Sequence, residues 1–84
     1  MTGQRMLAFC KCAIEKLEWI EENGGYLSPQ QMESIYTWRE EVHELAMIAI
    51  FETRQRVTSQ QEKHIENIIE ILDVLVKKIH ESNA

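Results

Sequence analysis

The sequence predicts an all-α protein: a single domain over residues 1–84, folded as an antiparallel three-helix bundle that dimerises through its second and third helices. Three observations support this fold class. Apolar residues recur at spacings of three and four in three separate stretches, which is typical of helices packed on helices. Capping signals open the second and third stretches. Finally, 44% hydrophobic residues with only three Gly and one Pro indicate an ordered, helix-rich chain.

The first helix is predicted over residues 4–22. Its seam consists of Met6, Cys10, Ala13, Leu17 and Ile20, which follow one another at helical spacing. The helix ends at Asn23-Gly24-Gly25, because Asn and Gly tolerate the left-handed conformation of a C-cap. Trp19 projects away from the seam, and we expect it to fold over the adjoining loop. A partner contact and a stacking surface for a base are the alternatives.

The second helix is predicted over residues 29–56. Ser28 at the N-cap, Pro29 at the first helical position and Gln31 at N3 form a strong start signal. The seam consists of Ile35, Trp38, Val42, Leu45 and Ala49, with Met32, Ala46 and Ile50 beside it. The run from 45 to 51 is apolar around the whole circumference, whereas a helix packed against one layer needs a single stripe. We therefore expect this helix to be the central one.

The third helix is predicted over residues 59–80, opened by a capping box of Ser59 and Glu62. Its seam consists of Ile65, Ile68, Leu72, Leu75 and Ile79. The link to the second helix is short, so these two helices should be antiparallel neighbours.

Five apolar residues remain outside the seams and form the predicted interface: Met47, Ile48, Phe51, Ile71 and Val74. A unit this small would otherwise leave them in water. The favoured function is therefore a small acidic interaction module that self-associates or binds a partner helix, as an accessory, chaperone-like or regulatory protein. This function requires no cofactor.

Composition restricts the partners and the location. Nine Lys and Arg against 14 Asp and Glu give a net charge of −5, which argues against nucleic-acid binding. No stretch approaches the length of a membrane span, and the N-terminus lacks the apolar region of a signal peptide. Cys10 and Cys12 lack the spacing of a zinc site and are predicted to be free thiols, Cys10 on the seam and Cys12 off it. A cytoplasmic protein is expected.

Few side chains are arranged for chemistry. The cysteines have no His at helical neighbour spacing, and no nucleophile elbow or phosphate-binding loop is present. We expect His43, His64 and His80 on helix surfaces. Glu40 and His43 have the E-x-x-H spacing of di-iron bundles, but such a site needs a second copy of the motif.

Carboxylates form the more plausible site. Glu40, Glu41 and Glu44 are spaced to share a helical face, and Glu70 and Asp73 lie three apart on the third helix. Mg²⁺ would relieve the repulsion between such groups and would keep open positions for water and phosphate oxygens. The alternative is a solvated acidic face.

The segment Glu40-Glu41-Val42-His43-Glu44-Leu45 resembles the E-E-x-x-E-L motif of MazG-like nucleoside triphosphate pyrophosphohydrolases, and residues 70–73 resemble the E-x-x-D motif that follows it in that family. The resemblance implies Mg²⁺ held by Glu41, Glu44, Glu70 and Asp73, with Glu40 assisting catalysis. It also implies an oligomer that hydrolyses a nucleoside triphosphate to the monophosphate and pyrophosphate. This enzyme is the alternative to the interaction module.

Overall fold

The computed structural model of the chain describes residues 3–25, 27–51 and 57–83. This part of the chain contains three α-helices, α1 (Gly3–Asn23), α2 (Pro29–Phe51) and α3 (Ser59–Asn83), and no strand. The predicted all-α three-helix bundle is confirmed. α1 is one residue longer than predicted at each end, and α3 continues three residues beyond the predicted end. Tyr26 and the predicted end of α2 at residues 52–56 lie outside the described residues.

The central helix is α1, not α2. α1 packs along both other helices, whereas α2 and α3 touch each other at only a few positions. The expectation that α2 is central was therefore wrong, and α2 and α3 are weaker neighbours than predicted. The apolar run on α2 is buried on one side only: Leu45 and Ala49 are in the core, while Ile50, placed beside the seam by the sequence, is exposed.

Contacts between the helices fix their directions. Gly3 at the start of α1 lies against the backbone of Ala49 near the end of α2, so these two helices are antiparallel. Lys16 in α1 pairs with Asp73 in α3, and Trp19 stacks on His80 further along both helices, so α1 and α3 are parallel. The result is an elongated up-down-up bundle of 45 × 20 × 18 Å.

The core follows the predicted seams closely. All five predicted seam residues of α1 are buried, and they include the small side chains of Cys10 and Ala13, which let the neighbouring helices approach. On α2 and α3 the buried seam residues are Ile35, Val42, Leu45, Ala49, Ile65, Ile68, Leu72 and Ile79. Trp38 and Leu75 are partly buried against this core. Within the described residues, no helix is long and apolar enough to cross a membrane.

Capping boxes begin α2 and α3. At α2, the backbone N–H of Gln31 donates to Ser28 Oγ at 3.2 Å, and the backbone N–H of Ser28 donates to Gln31 Oε1 at 2.9 Å, as predicted. At α3 the predicted box of Ser59 and Glu62 was wrong by one residue. The reciprocal bonds join Thr58 to Gln61, at 3.0 and 3.2 Å. Val57, directly before the cap, is buried and fixes where the chain enters the helix.

The turn after α1 depends on Gly24, for a reason other than the predicted one. None of the described residues has a positive φ, so the expected left-handed cap is absent. A Cβ on Gly24 would instead lie 2.6 Å from the Ile20 carbonyl oxygen and 2.7 Å from Leu27 Cδ1. The Leu27 amide donates to the Gly24 carbonyl at 3.1 Å, which closes the turn. Gly24 is required by close approach, not by an unusual backbone conformation.

Replacing Gly24 with Ala should lower the free energy of unfolding by about 1–3 kcal/mol, the usual cost of overpacking a filled site. The matched control is Gly25→Ala, because a Cβ on Gly25 would meet nothing within 4 Å. That variant should keep or gain up to about 1 kcal/mol through the lower entropy of its unfolded chain. Urea unfolding followed by circular dichroism measures both, and equal stabilities would contradict the role given to Gly24.

Candidate functional site

The carboxylates of α2 divide between two environments. Glu41 accepts a hydrogen bond from, or pairs with, the Nε2 atom of His64 on α3, at 3.0 Å. Glu40 and Glu44 are exposed. The pair of Glu41 and His64 is a polar link between two helices that otherwise barely touch. Thus Glu41 joins α2 to α3 in a contact that is open to solvent, while Glu40 and Glu44 are exposed.

The carboxylates of α3 face elsewhere. Asp73 pairs with Lys16 of α1 at 2.5 Å, and this hydrogen bond raises the pKa of Lys16 despite the opposing effect of partial burial. Glu70 is exposed at the edge of an open groove of about 450 Å³ between α1 and α3, beside Phe9. Both residues therefore lie on the α1 side of α3, whereas His64 meets α2.

The single chain does not bring together the predicted metal ligands Glu41, Glu44, Glu70 and Asp73. Asp73 lies nine residues beyond His64, the residue level with Glu41, which corresponds to about 13 Å along the helix axis. One Mg²⁺ needs its oxygen ligands at about 2.0–2.1 Å. Within the described part of the chain, no group of three or more His, Cys, Asp or Glu could hold a metal ion. This also applies to Glu40 and His43, both of which are exposed.

The predicted interface residues lie on two separate patches. Met47 and Phe51 are exposed at the end of α2, and with Ile50 they form the α2 patch; Phe51 retains 72% of its accessible surface. Ile71 and Val74 are exposed on α3 and form the α3 patch. The remaining predicted interface residue, Ile48, is half-buried.

The two patches are well apart along the bundle. α2 and α3 are antiparallel, and Glu41 lies level with His64. Ile71, seven residues after His64, therefore lies level with the position on α2 that is seven residues before Glu41 and thirteen residues before Met47. At 1.5 Å per residue this is about 20 Å. The exposed members of the predicted interface therefore lie on two surfaces of the chain. Ile50 was missed as part of the α2 patch, although it lies two turns after His43 and shares its exposed face.

Acidic residues adjoin the α2 patch. Glu40, Glu44, Met47 and Phe51 follow at spacings of four, three and four, which places them on one face of the helix. The only Lys or Arg of α2 is Arg39, and it pairs with Glu21 of α1 at 3.0 Å. We call Glu40, Glu44, Met47, Ile50 and Phe51 the acidic–apolar surface. Within Pro29–Phe51, the part of this helix that the structure describes, the surface carries negative charge and apolar area and no Lys or Arg.

Trp19, which the sequence predicts to fold over the adjoining loop, packs on α3. Its ring stacks on His80 with the centroids 4.5 Å apart and the planes inclined by 29°. Asn23 Nδ2 donates to the Trp19 carbonyl at 2.9 Å. One ring face is therefore used inside the chain. All three histidines are predicted on helix surfaces, and two of them, His64 and His80, make specific contacts with another helix. The spacing of residues within one helix could not predict these two contacts.

The two thiols differ in environment as predicted. Cys10 is buried in the core, and Cys12 is partly exposed beside Lys16 and Trp19; both are free. Burial raises the pKa of the Cys10 thiol to about 11 from an ordinary value of 9.0. Because the folded pKa is raised, the stability that this thiol contributes is complete below about pH 9 and is lost as the pH rises toward 11.

Comparisons with protein-family models, with curated proteins and with solved structures found no match.

In the folded protein at neutral pH, Ellman's reagent should modify about one thiol per chain, because Cys12 is partly exposed whereas Cys10 is buried. Cys12→Ser should remove nearly all of this reaction. In denaturant, the reagent should modify two thiols per chain in the original protein and one thiol per chain in the Cys12→Ser variant. Rapid modification of folded Cys12→Ser would contradict the burial of Cys10.

Proposed function

We propose that the chain is a non-enzymatic interaction module whose acidic–apolar surface on α2 binds a basic amphipathic helix of a partner protein. A helix of that kind would lay its apolar stripe over Met47, Ile50 and Phe51, as in helix-in-groove recognition. Its Lys and Arg residues would meet Glu40 and Glu44. A reducing, cytoplasmic location with both thiols free is part of this proposal.

The observation that carries the proposal is that the core is complete without the α2 patch. Leu17, Ile35 and Ile65 are fully buried, while Met47 and Ile50 keep about half of their accessible surface. Fully burying one such side chain contributes about 1.5–3 kcal/mol. Three neighbouring apolar side chains on one helix end therefore offer several kcal/mol to a partner and contribute little to the fold.

Charge supports a basic partner over a second copy of the same surface. Two copies of this surface would bring Glu40 and Glu44 close to identical carboxylates, and like charges across an interface cost binding energy. A basic helix would place opposite charges at these positions, so the electrostatic interaction would favour binding. The net charge of −5 would also speed the approach of a cationic partner, more strongly at low salt.

A designed Leu/Lys peptide with one apolar stripe and a Lys face should bind the protein in a fluorescence anisotropy titration. Phe51→Ala should weaken binding about 10-fold or more, since a tenfold change corresponds to about 1.4 kcal/mol. Replacing Glu40 and Glu44 with Gln should weaken binding at low salt and flatten its salt dependence.

Two controls separate this surface from general attraction between opposite charges. Val74→Ala removes an exposed side chain from the α3 patch, and Glu18→Gln with Glu22→Gln removes two exposed carboxylates from α1; both should leave affinity unchanged. A peptide with Glu in place of Lys should not bind. Equal losses in the control variants would exclude a site on α2. A lower oligomer mass for Phe51→Ala without peptide would assign the surface to a second copy instead.

The MazG-like hydrolase stays a prediction from the sequence resemblance. Its support is the exposure of Glu40, Glu44 and Glu70, which leaves them open to an ion shared with another chain. If the hydrolase prediction is correct, a panel of nucleoside triphosphates with Mg²⁺ should release pyrophosphate, and Glu41→Gln should abolish the release. Turnover no greater than that of Glu41→Gln would exclude the enzyme and leave the interaction module.

A further inference from the structure

The outer face of α3 has the features of a contact between two copies of this chain. Ile71 and Val74 lie on it, and Val74, two residues after buried Leu72, points about 200° around the helix from the core. Val74 keeps 54% of its accessible surface. This face is independent of the acidic–apolar surface of α2.

The bundle is elongated, with extents of 45 × 20 × 18 Å, so pairing along its long side can cover more surface than pairing at its ends.

The charges beside the α3 patch are arranged for an antiparallel pair. Glu70 lies on the N-terminal side of the patch, and Lys77 and Lys78 lie on its C-terminal side; all three are exposed. Glu70 and Lys77 are seven residues apart and so occupy the same flank of the helix. Directly beside the patch, the N-terminal side is therefore acidic and the C-terminal side basic, while Lys63 and Glu81, about two turns further out, carry the opposite signs.

We propose that two copies pair through α3 about a twofold axis between positions 72 and 73, with the helices antiparallel. Ile71 then packs on the partner's Val74. Glu70 lies on the same flank of the contact as the partner's Lys77 and about 3 Å from it along the helix axis, within reach of the two side chains. A twofold axis makes each contact occur twice, because the same patch is used on both chains. On the other flank Asn67 faces the partner's Lys78. In a parallel pair in register, Glu70 and the partner's Lys77 would lie on opposite flanks of the contact and could not pair.

A second copy is favoured as the occupant because the face complements itself in both shape and charge. Two apolar residues meet at the centre, and opposite charges meet at both ends. This differs from α2, where the charges are of one sign. An exposed ion pair contributes about 0.2–1 kcal/mol, so two symmetric pairs set the direction of the helices while the apolar centre supplies most of the binding.

Sedimentation equilibrium over a concentration series tests the pairing by charge reversal. The original chain should approach the mass of a dimer. Glu70→Lys and Lys77→Glu should each weaken the dimer about 10-fold, because each removes two ion pairs and introduces two like-charge contacts. The double variant Glu70→Lys/Lys77→Glu restores opposite charges across the axis and should dimerise as the original chain does. Glu18→Lys, an exposed reversal on α1, should change nothing.

Each other outcome overturns the proposal in a recognisable way. A monomer at every concentration excludes the dimer. A dimer that is insensitive to both single reversals excludes this register, and a double variant as weak as the single variants excludes the contact between Glu70 and the partner's Lys77. Circular dichroism melting of each variant shows whether it is folded. Phe51→Ala should leave the mass of the oligomer unchanged. The proposed dimer through α3 and the proposed peptide site on α2 are therefore tested independently of each other.

Discussion

Burial of α1 between the other two helices is the constraint on which the structure depends. Its stripe of Met6, Cys10, Ala13, Leu17 and Ile20 is almost wholly inaccessible to solvent, although it includes two small residues. Since α2 and α3 barely touch, each is held mainly by its contact with α1. The ion pairs of Lys16 with Asp73 and of Arg39 with Glu21 also join α1 to its neighbours. Loss of packing along this stripe would release both flanking helices.

The arrangement explains why apolar residues remain outside the core. A helix that packs against only one neighbour buries only one stripe, and both α2 and α3 are in that position. Their outer faces are then free to differ: α2 combines apolar residues with carboxylates of one sign, whereas α3 places opposite charges at the two ends of its patch. One scaffold thus presents two chemically different surfaces, separated by about 20 Å along the bundle.

Periodicity predicted the elements and the core because both follow from local geometry. The seam of α1 was predicted residue by residue, and so was the capping box of Ser28 and Gln31. The start of α3 was ambiguous because Thr58-Ser59-Gln60-Gln61-Glu62 contains two overlapping boxes, and burial of Val57 decides between them. The choice of central helix could not be made from one helix at a time, since a long apolar run on α2 does not reveal how many neighbours cover it.

The candidate sites were less predictable than the fold. Which carboxylates meet depends on how the helices are rotated and how far they are shifted along one another, and spacing within α2 contains neither quantity. Glu41 therefore meets His64, while Asp73 meets Lys16, more than fifty positions away in the chain.

The separation in sequence between the contacting helices α1 and α3 also bears on folding. The antiparallel pair of α1 and α2 closes a short loop, whereas docking of α3 beside α1 must close a loop that contains all of α2. Loop-closure entropy rises with loop length, so the α1–α2 hairpin is the cheaper contact to form first, and α3 completes the core by docking on it.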